Sequence, residues 1–145
     1  MERRTFKTTI DAPRETVWNI LWGDTTYPQW TAVFSEGSRA ETDWQEGSKV
    51  LFLNEKGEGM VSRIETSIPN EYMSFKHLGE VNHGAEDLYS DRVREWAGSM
   101  ENYTLKTVDG KTELTVEIDI VDDHIDYFEK TWPPALEKLK ELAEG

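Results

Sequence analysis

The stretch DYFEKTWPPALEKLKEL at residues 126–142 decides the fold of this chain, because it predicts a long amphipathic helix at the C-terminal end. Apolar side chains recur at helical spacing in and around it: Ile125, Phe128, Trp132, Leu136, Leu139 and Ala143. Pro133 and Pro134 each remove a backbone N–H donor, so we expect the helix to kink or restart beside them.

The other end of the chain predicts a strand followed by two short helices. The alternating run TFKTTI at residues 5–10 is typical of a strand with one buried face. Asp11 as an N-cap and Pro13 in the first turn then predict a helix that ends near Leu21. A second short helix is expected over residues 27–34.

The region between these helices and the terminal helix has the pattern of antiparallel strands. Strands are predicted over residues 49–53, 60–65, 72–78, 101–108 and 114–120, and the last has the clearest alternation. Asp109 and Gly110 form the strongest hairpin signal. We therefore predict an α+β domain spanning residues 1–145 in which an antiparallel sheet grips the terminal helix. Such a sheet encloses space, so ligand binding is the first function to consider.

The composition argues against several classes of function. A net charge of −13 disfavours binding to nucleic acid or to an anionic membrane surface, because phosphate contacts need clustered Lys and Arg. The chain has no Cys, which excludes disulfides, thiolate catalysis and thiolate metal sites. Neither a signal peptide nor a run of about 20 apolar residues is visible, so the expected location is the cytoplasm.

One segment has the residue types of a metal site. His77, Glu80 and His83 offer two imidazoles and a carboxylate, but they lie where a strand runs into a Gly-containing loop that holds a fixed geometry poorly. We therefore expect no metal and no cofactor. The acidic pair Asp122 and Asp123 is better explained as the cap of the terminal helix than as an acid–base pair.

Several positions together carry a resemblance to a known family. They are Ile10, Ala12, Pro13, Val17, Trp18, Trp30, Glu46, Gly47, Tyr103 and the pattern Trp132, Leu136, Leu139. With them the chain resembles the superfamily of START domains, birch-pollen-type allergens and polyketide cyclases. Within that superfamily it resembles the activator-of-heat-shock-ATPase family in its single-domain bacterial form. The resemblance covers nearly the whole chain.

The resemblance implies a fold and a range of functions. The expected fold is a helix grip, a curved antiparallel sheet wrapped around the long C-terminal helix, with two short helices completing a pocket. Members of the superfamily bind lipids, sterols, polyketides and hormones, and a few are enzymes. The implied partners are a small apolar molecule or, through the heat-shock family, a chaperone or another protein.

Large aromatic side chains are the candidate ligand-binding residues. They are Trp30, Phe75, Trp96, Tyr103, Phe128 and Trp132. Such residues either line a pocket or fill a core, and core packing is the stronger expectation for Trp18 and Trp30. For the terminal helix both alternatives stay open, because the face toward the sheet is also the wall of any pocket. Ser74 and Tyr103 are candidates for the few polar groups that orient a ligand.

Residues 81–99 interrupt the strands and are a candidate lid. Ser90 predicts a short capped helix, and Val93 and Trp96 would face inward from it. Gly79, Gly84 and Gly98 are candidate hinges for its movement. The alternative is a surface excursion that stays packed permanently.

Three functions remain in view, and the interior of the fold discriminates between them. The leading hypothesis is a non-enzymatic module that binds a small, largely apolar ligand between the sheet and the terminal helix. The second is a protein–protein adaptor, including a chaperone accessory, which a sealed interior would favour. The third is a cyclase- or hydrolase-like enzyme, which would need an open pocket with a buried acid or His whose pKa is shifted.

Overall fold

The structure is a computed structural model that describes residues 1–145. In chain order the elements are β1 (Glu2–Ile10), α1 (Arg14–Trp22), α2 (Tyr27–Thr31), β2 (Arg39–Glu41), β3 (Lys49–Leu53), β4 (Glu58–Ile68), β5 (Tyr72–Asn82), β6 (Ala85–Asp87), α3 (Asp91–Arg94), β7 (Met100–Val108), β8 (Lys111–Ile120) and α4 (Ile125–Glu144). A short 3₁₀ turn, Asp122–His124, leads into α4.

The strands form one antiparallel sheet in the order β1-β8-β7-β5-β4-β3-β2, and β6 pairs with β5 beside this path. Two register shifts between β4 and β5 mark bulges, which bend and twist strands locally. Helix α4 lies against β1, α1 and α2. The prediction of an α+β helix-grip fold, a curved sheet around a long C-terminal helix, is confirmed.

The close approach of β6 to β5 depends on Gly79. A Cβ atom at this position would lie 2.2 Å from the carbonyl oxygen of Asp87, a distance that no side chain tolerates. Gly79 therefore permits the close packing of the two strands and is not required as a hinge.

The concave face of the sheet and the helices enclose a core of 21 buried residues, many of them aromatic. Trp30 of α2 is central to this core, and its indole N–H donates to the carbonyl oxygen of Leu21 at 3.1 Å. Trp132 of α4 packs against Phe34 and Phe6, with ring centroids 4.9 and 5.9 Å away. Side chains therefore fill the space between the sheet and α4.

The terminal helix does not restart beside the prolines, since α4 runs without interruption from Ile125 to Glu144. The expected kink stays a prediction. Pro133 and Pro134 lie on its exposed side, as do Glu129 and Lys130, whose carbonyl groups lose their helical donors. Exposed carbonyl groups of this kind are free to bond to solvent. The buried stripe that includes Trp132 and Leu136 holds the helix against the sheet.

Two of the predicted helix caps are also wrong. The cap position of α1 is Pro13, with extended backbone and no side-chain cap, while the N–H of Asp11 donates to Glu144 at 2.9 Å. Asp122 and Asp123 form the 3₁₀ turn and make no capping hydrogen bond to α4. Carboxylates near a helix start are common in so acidic a chain, so composition alone produced both signals.

Other local predictions are confirmed or need only adjustment. Ser90 caps α3 as expected, accepting a hydrogen bond from the N–H of Val93 at 3.3 Å. Helix α2 ends at Thr31, and residues 32–34 form a turn. Strands β2 and β6 were not predicted, because each has three residues and too short a pattern to detect. No helix combines the length and apolarity needed to cross a bilayer.

Candidate functional site: a tryptophan cleft

Four of the six predicted ligand-binding residues lie together in the core. Phe75, Trp30, Tyr103 and Trp132 are 0, 1, 2 and 3% exposed. Phe128 packs at the edge of the same core. Trp96 is half-buried and lies outside it. The structure thus brings five of these residues onto one core and separates the sixth from them.

An open cleft of about 450 Å³ lies elsewhere in the molecule. Its walls come from α1, the loop between β2 and β3, and the end of the β4–β5 hairpin. We call it the tryptophan cleft, and its lining residues are Trp18, Asn19, Trp22, Gly23, Trp44, Gln45, Glu46, Ser67, Pro69 and Met73. None of the six predicted residues is among them.

Three tryptophans shape this cleft. Trp18 and Trp22 are four residues apart on α1 and therefore project from one face of the helix. Their rings meet nearly at right angles, with centroids 6.1 Å apart, and Trp44 tilts against Trp22 at 5.1 Å. Trp22 also contacts Phe75 and Tyr103, at 5.3 and 4.9 Å, so it is the wall between the cleft and the core.

Trp44 is held in an uncommon backbone conformation. Its φ of 61° lies in the left-handed region, which bulky residues rarely adopt. Its N–H donates to the hydroxyl oxygen of Thr42, and the next N–H, that of Gln45, donates to Asp43 at 2.9 Å. Hydrogen bonds from Ser48 and from that N–H lower the pKa of the Asp43 carboxyl. Local strain held in place by surrounding bonds recurs at ligand-binding sites.

The polar side of the cleft is fixed by one hydrogen bond between distant parts of the chain. Glu46 accepts a hydrogen bond at 3.0 Å from the N–H of Ser67, which joins the β2–β3 loop to the end of β4. Glu46 is the one charged residue in the lining. Asn19, Gln45 and Ser67 add uncharged donors and acceptors.

A polar network, separate from the cleft, joins side chains of β4, β5 and β7. The hydroxyl of Ser62 contacts Nδ1 of His77 at 2.7 Å, and Nε2 of His77 contacts Glu101 at 3.1 Å. The hydroxyl of Tyr103 donates to the same carboxylate. Burial raises the pKa of Tyr103 and that of Tyr27, and the charge of Glu101 adds to both shifts.

The three candidate metal ligands do not come together in the structure. His77 is occupied by Ser62 and Glu101, Glu80 pairs with Arg92, and His83 is exposed in the turn before β6. The three side chains therefore face different surroundings. No group of three or more His, Asp or Glu side chains is arranged to hold a metal ion.

The candidate lid is bonded to the sheet and does not line the cleft. The backbone of His77 exchanges hydrogen bonds with Gly98 and Ser99, at 2.8 and 2.9 Å. Val93 is fully buried, but it is not part of the main core. No residue of 81–99 is in the lining of the cleft. The mobility of this segment stays a prediction.

One predicted polar group lies away from both sites. Ser74 donates to the side-chain oxygen of Asn102 at 2.6 Å. Neighbouring residues of a strand point to opposite faces, so Ser74 lies on the face opposite Met73 and Phe75. It therefore does not orient a ligand in the cleft.

The sequence analysis missed Trp22 and Trp44 as site residues and assigned Trp18 to the core. The i, i+4 spacing of Trp18 and Trp22 was a usable signal, because it predicts two large rings on one helix face. For Trp44, the signal was a large aromatic residue in a polar loop, TDWQEGS at residues 42–48. The contact between α1 and that loop depends on tertiary structure alone.

Comparison with known proteins relates this fold to characterised structures. The chain is similar over 99% of its length, and over 97% of theirs, to the Aha1 dimer from Colwellia psychrerythraea, with 18% identity and a TM-score of 0.76. A protein from Mesorhizobium loti gives 17% identity and a TM-score of 0.72, with 97% of this chain and 96% of that one covered. No curated protein matches.

A third similar structure is a putative protein in the dynemicin biosynthetic locus. It has 14% identity and a TM-score of 0.72, and the match covers 97% of this chain and 46% of that one. The model of the family described as Activator of Hsp90 ATPase homolog 1-like protein matches residues 11–144. The chain therefore belongs to the family of Activator of Hsp90 ATPase homolog 1-like proteins.

Proposed function

We propose that this protein is a binding module for a small amphipathic molecule, which it takes up in the tryptophan cleft. At family level the fold is that of a ligand-binding or polyketide-cyclase-like module. The observation that carries the proposal is an open cleft of about 450 Å³ walled by three tryptophans. This volume lies within the range of about 300–1,000 Å³ of small-molecule sites.

The location differs from the one expected from sequence, and packing supports the difference. Trp30, Phe75, Tyr103 and Trp132 occupy the space between the sheet and α4. A ligand there would have to displace side chains whose removal from a core costs several kcal/mol, about 3–5 for a large aromatic. The cleft needs no such displacement. Two of the predicted residues, Phe75 and Tyr103, pack against Trp22 on the side of its ring that faces the core.

The lining indicates an amphipathic ligand and not a purely apolar one. Trp18, Trp22, Trp44 and Met73 offer apolar surface, while Asn19 offers an amide group beside them. The lining thus combines aromatic surface with amide and hydroxyl groups, the two kinds of surface that an amphipathic molecule contacts.

The direct test uses one neutral fluorescent probe and two matched variants. Nile red should bind the wild-type protein saturably with one-to-one stoichiometry, because the cleft is a single site. Trp18→Ala should weaken this binding by about tenfold, since an aromatic wall of a site contributes on the order of 1–2 kcal/mol. Trp96→Ala is the control, because Trp96 is also half-buried but lies outside the cleft.

The same experiment can reject the proposal. Absence of saturable Nile red binding in the wild type would exclude the cleft as a site for neutral amphipathic molecules. Equal losses of affinity in the two variants would show that the tryptophans act through general stability. Thermal unfolding of both variants, measured in parallel, separates a local change from a partly unfolded protein.

A second candidate function, a protein–protein adaptor, is favoured by the filled interior. The 21-residue core fills the space between the sheet and α4. An adaptor acts through its surface, so it does not need an open interior. The description of the family suggests an Hsp90 ATPase as the partner. Stimulation of the steady-state ATPase rate of a purified Hsp90 would support this function, and an unchanged rate at saturating protein would exclude that partner.

The third hypothesis, an enzyme, gains no support from the buried polar network. Ser62 and His77 have the residue types of a hydrolase, but Ser62 is 0% exposed. A nucleophile must reach its substrate, and this hydroxyl has no exposed surface. The network is better explained as a means of satisfying polar groups within the sheet.

A further inference from the structure

We propose that the ligand of the tryptophan cleft is an organic cation with a quaternary ammonium group. This inference rests on the proposed function and specifies the chemistry of the same site. It arises from three independent features of the lining: the arrangement of the rings, the position of the carboxylate and the absence of a cationic side chain.

Three indole rings line the cleft: Trp18 and Trp44 are half-buried, and Trp22, in contact with both, is largely covered. Trp18 and Trp22 meet at 81°, so their planes form a corner, and Trp44 adds a third ring tilted by 39° to Trp22. The face of an aromatic ring carries partial negative charge, and it attracts a cation within about 6 Å. Tryptophan provides the strongest such face, and aromatic binding sites recognise alkylated ammonium groups in this way.

The charge of the lining matches the rings. Glu46 lies at the cleft with its carboxylate fixed by the N–H of Ser67, and no Lys or Arg is in the lining. The whole chain has a net charge of −13, which raises the local concentration of cations around it. An anionic ligand such as a fatty acid would meet a carboxylate with no cation to offset it. The cleft therefore favours a positive ligand over a negative one.

A quaternary ammonium group fits these features better than a primary amine. Its methyl groups contact tryptophan faces as apolar surface, and its charge requires no hydrogen-bond acceptor. The cleft has one carboxylate, and part of its hydrogen-bonding capacity is used by Ser67. A primary ammonium group has three donors to satisfy, and water would satisfy them better.

The test compares choline with its neutral carbon analogue, in which a carbon atom replaces the quaternary nitrogen. The two molecules have nearly the same shape, so shape and apolar contact cancel in the comparison. Isothermal titration calorimetry should give an affinity for choline about tenfold higher than for the analogue, the preference expected of a partly buried aromatic site. Nile red binding is measured in parallel.

The outcomes separate this inference from the proposed function. Equal affinities for choline and the analogue would overturn the cation inference and leave the cleft as a neutral ligand site. Nile red binding, with no binding of choline or of phosphatidylcholine vesicles, would do the same. If neither choline nor Nile red bound, the proposed function itself would fall.

The variant Glu46→Gln provides a second test of the cation inference. Glutamine keeps a side-chain oxygen that can accept from Ser67, so the variant removes the charge while preserving the loop contact. It should lower the affinity for choline by about threefold to tenfold and leave the neutral analogue unchanged. Glu137→Gln, on the exposed face of α4, is the matched control and should change neither. Equal choline affinities in both variants would contradict the assigned role of Glu46.

The trimethylammonium group has a free and a membrane-bound source, and vesicles distinguish them. Phosphatidylcholine vesicles present this group as a lipid headgroup, whereas choline presents it in solution. Co-sedimentation with the vesicles, lost in Trp18→Ala, would support the proposal and assign a lipid source. Binding of choline alone would support it and assign a free solute. Failure in both arms would overturn it.

Discussion

The core and the tryptophan cleft are both built from large aromatic residues, yet one is closed and the other open. In the core, Trp30 and Trp132 are 1 and 3% exposed, with rings packed around them on several sides. In the cleft, Trp18 and Trp44 are half-buried and line open space. A high aromatic content therefore does not indicate a pocket. Whether an aromatic ring lines a pocket depends on how completely its neighbours pack around it.

The difference follows from which elements meet. Helix α4 covers the concave face of the sheet and brings Trp132 onto rings from β1, α2 and β7. No residue of α4 lines the cleft, which is bounded by α1, the β2–β3 loop and the β4–β5 hairpin. A site bounded by loops and a hairpin end can open without loss of core packing, as ligand sites commonly require.

The largest effect should come from the core. Trp132→Ala should lower the free energy of unfolding by about 3–5 kcal/mol, because the ring is deeply buried and its removal leaves a cavity. Chemical denaturation measures this loss. Sequence analysis left open a wall position for Trp132, which predicts only about 1–2 kcal/mol, since fewer packing contacts would vanish. A loss in that lower range would contradict the closed core.

The polar network should give the next largest effect. His77→Ala removes the middle of the network and leaves the hydroxyl of Ser62 and the Glu101 carboxylate without this partner. The loss of this partner by a buried hydroxyl and a part-buried carboxylate should cost about 1–3 kcal/mol, measured by urea denaturation. His83→Asn is the control, because His83 is exposed and asparagine tolerates its φ of 49°. Equal stability of the two variants would refute a structural role for the network.

Alkaline pH probes the core through its buried phenols. Burial raises the pKa of Tyr27 above its ordinary value near 10, so the folded state retains a proton that the unfolded state releases. Stability should therefore fall as the pH rises above about 10, by about 1.4 kcal/mol per pH unit for each such group. Tyr27→Phe should reduce the slope of this decline. Tyr89→Phe, at a site 76% exposed, should leave it unchanged, and a reduced slope there would contradict the assignment.

The smallest effect is expected in residues 81–99. They do not line the cleft, so hydrogen exchange of their amides should be the same with and without a saturating cleft ligand. Exchange in residues 42–48 should slow, because that loop carries Trp44 and Glu46. If ligand slowed amide exchange in residues 81–99 and left exchange in residues 42–48 unchanged, the lid hypothesis would be supported and the cleft would not be the binding site.

Most of the fold was predictable from sequence because periodic burial leaves a periodic pattern. The alternation along residues 114–120 and the apolar stripe of α4 both follow from one buried face. The caps at Asp11 and Asp122 were mispredicted because carboxylates are frequent in this chain. The helix does not restart beside Pro133, because its apolar stripe packs on the core despite two missing donors.

The candidate site was much less predictable, for a physical reason. The sequence indicates how much surface an aromatic side chain can bury, but it does not indicate whether other side chains fill the space beside the ring. Trp30 and Trp44 have the same chemistry and opposite outcomes. Only the meeting of α1 with a loop more than twenty residues later distinguishes them, and no short-range pattern encodes that contact.

The most direct test of the central claim, that ligand binds in the cleft and not under α4, uses the six tryptophan indole N–H groups as reporters. Choline and its neutral carbon analogue are titrated into nitrogen-15-labelled protein and followed by two-dimensional NMR. With whichever binds, the signals of Trp18, Trp22 and Trp44 should shift, while those of Trp30, Trp96 and Trp132 should stay in place. Shifts confined to Trp30 and Trp132 would contradict the account and return the site to the space between the sheet and the terminal helix.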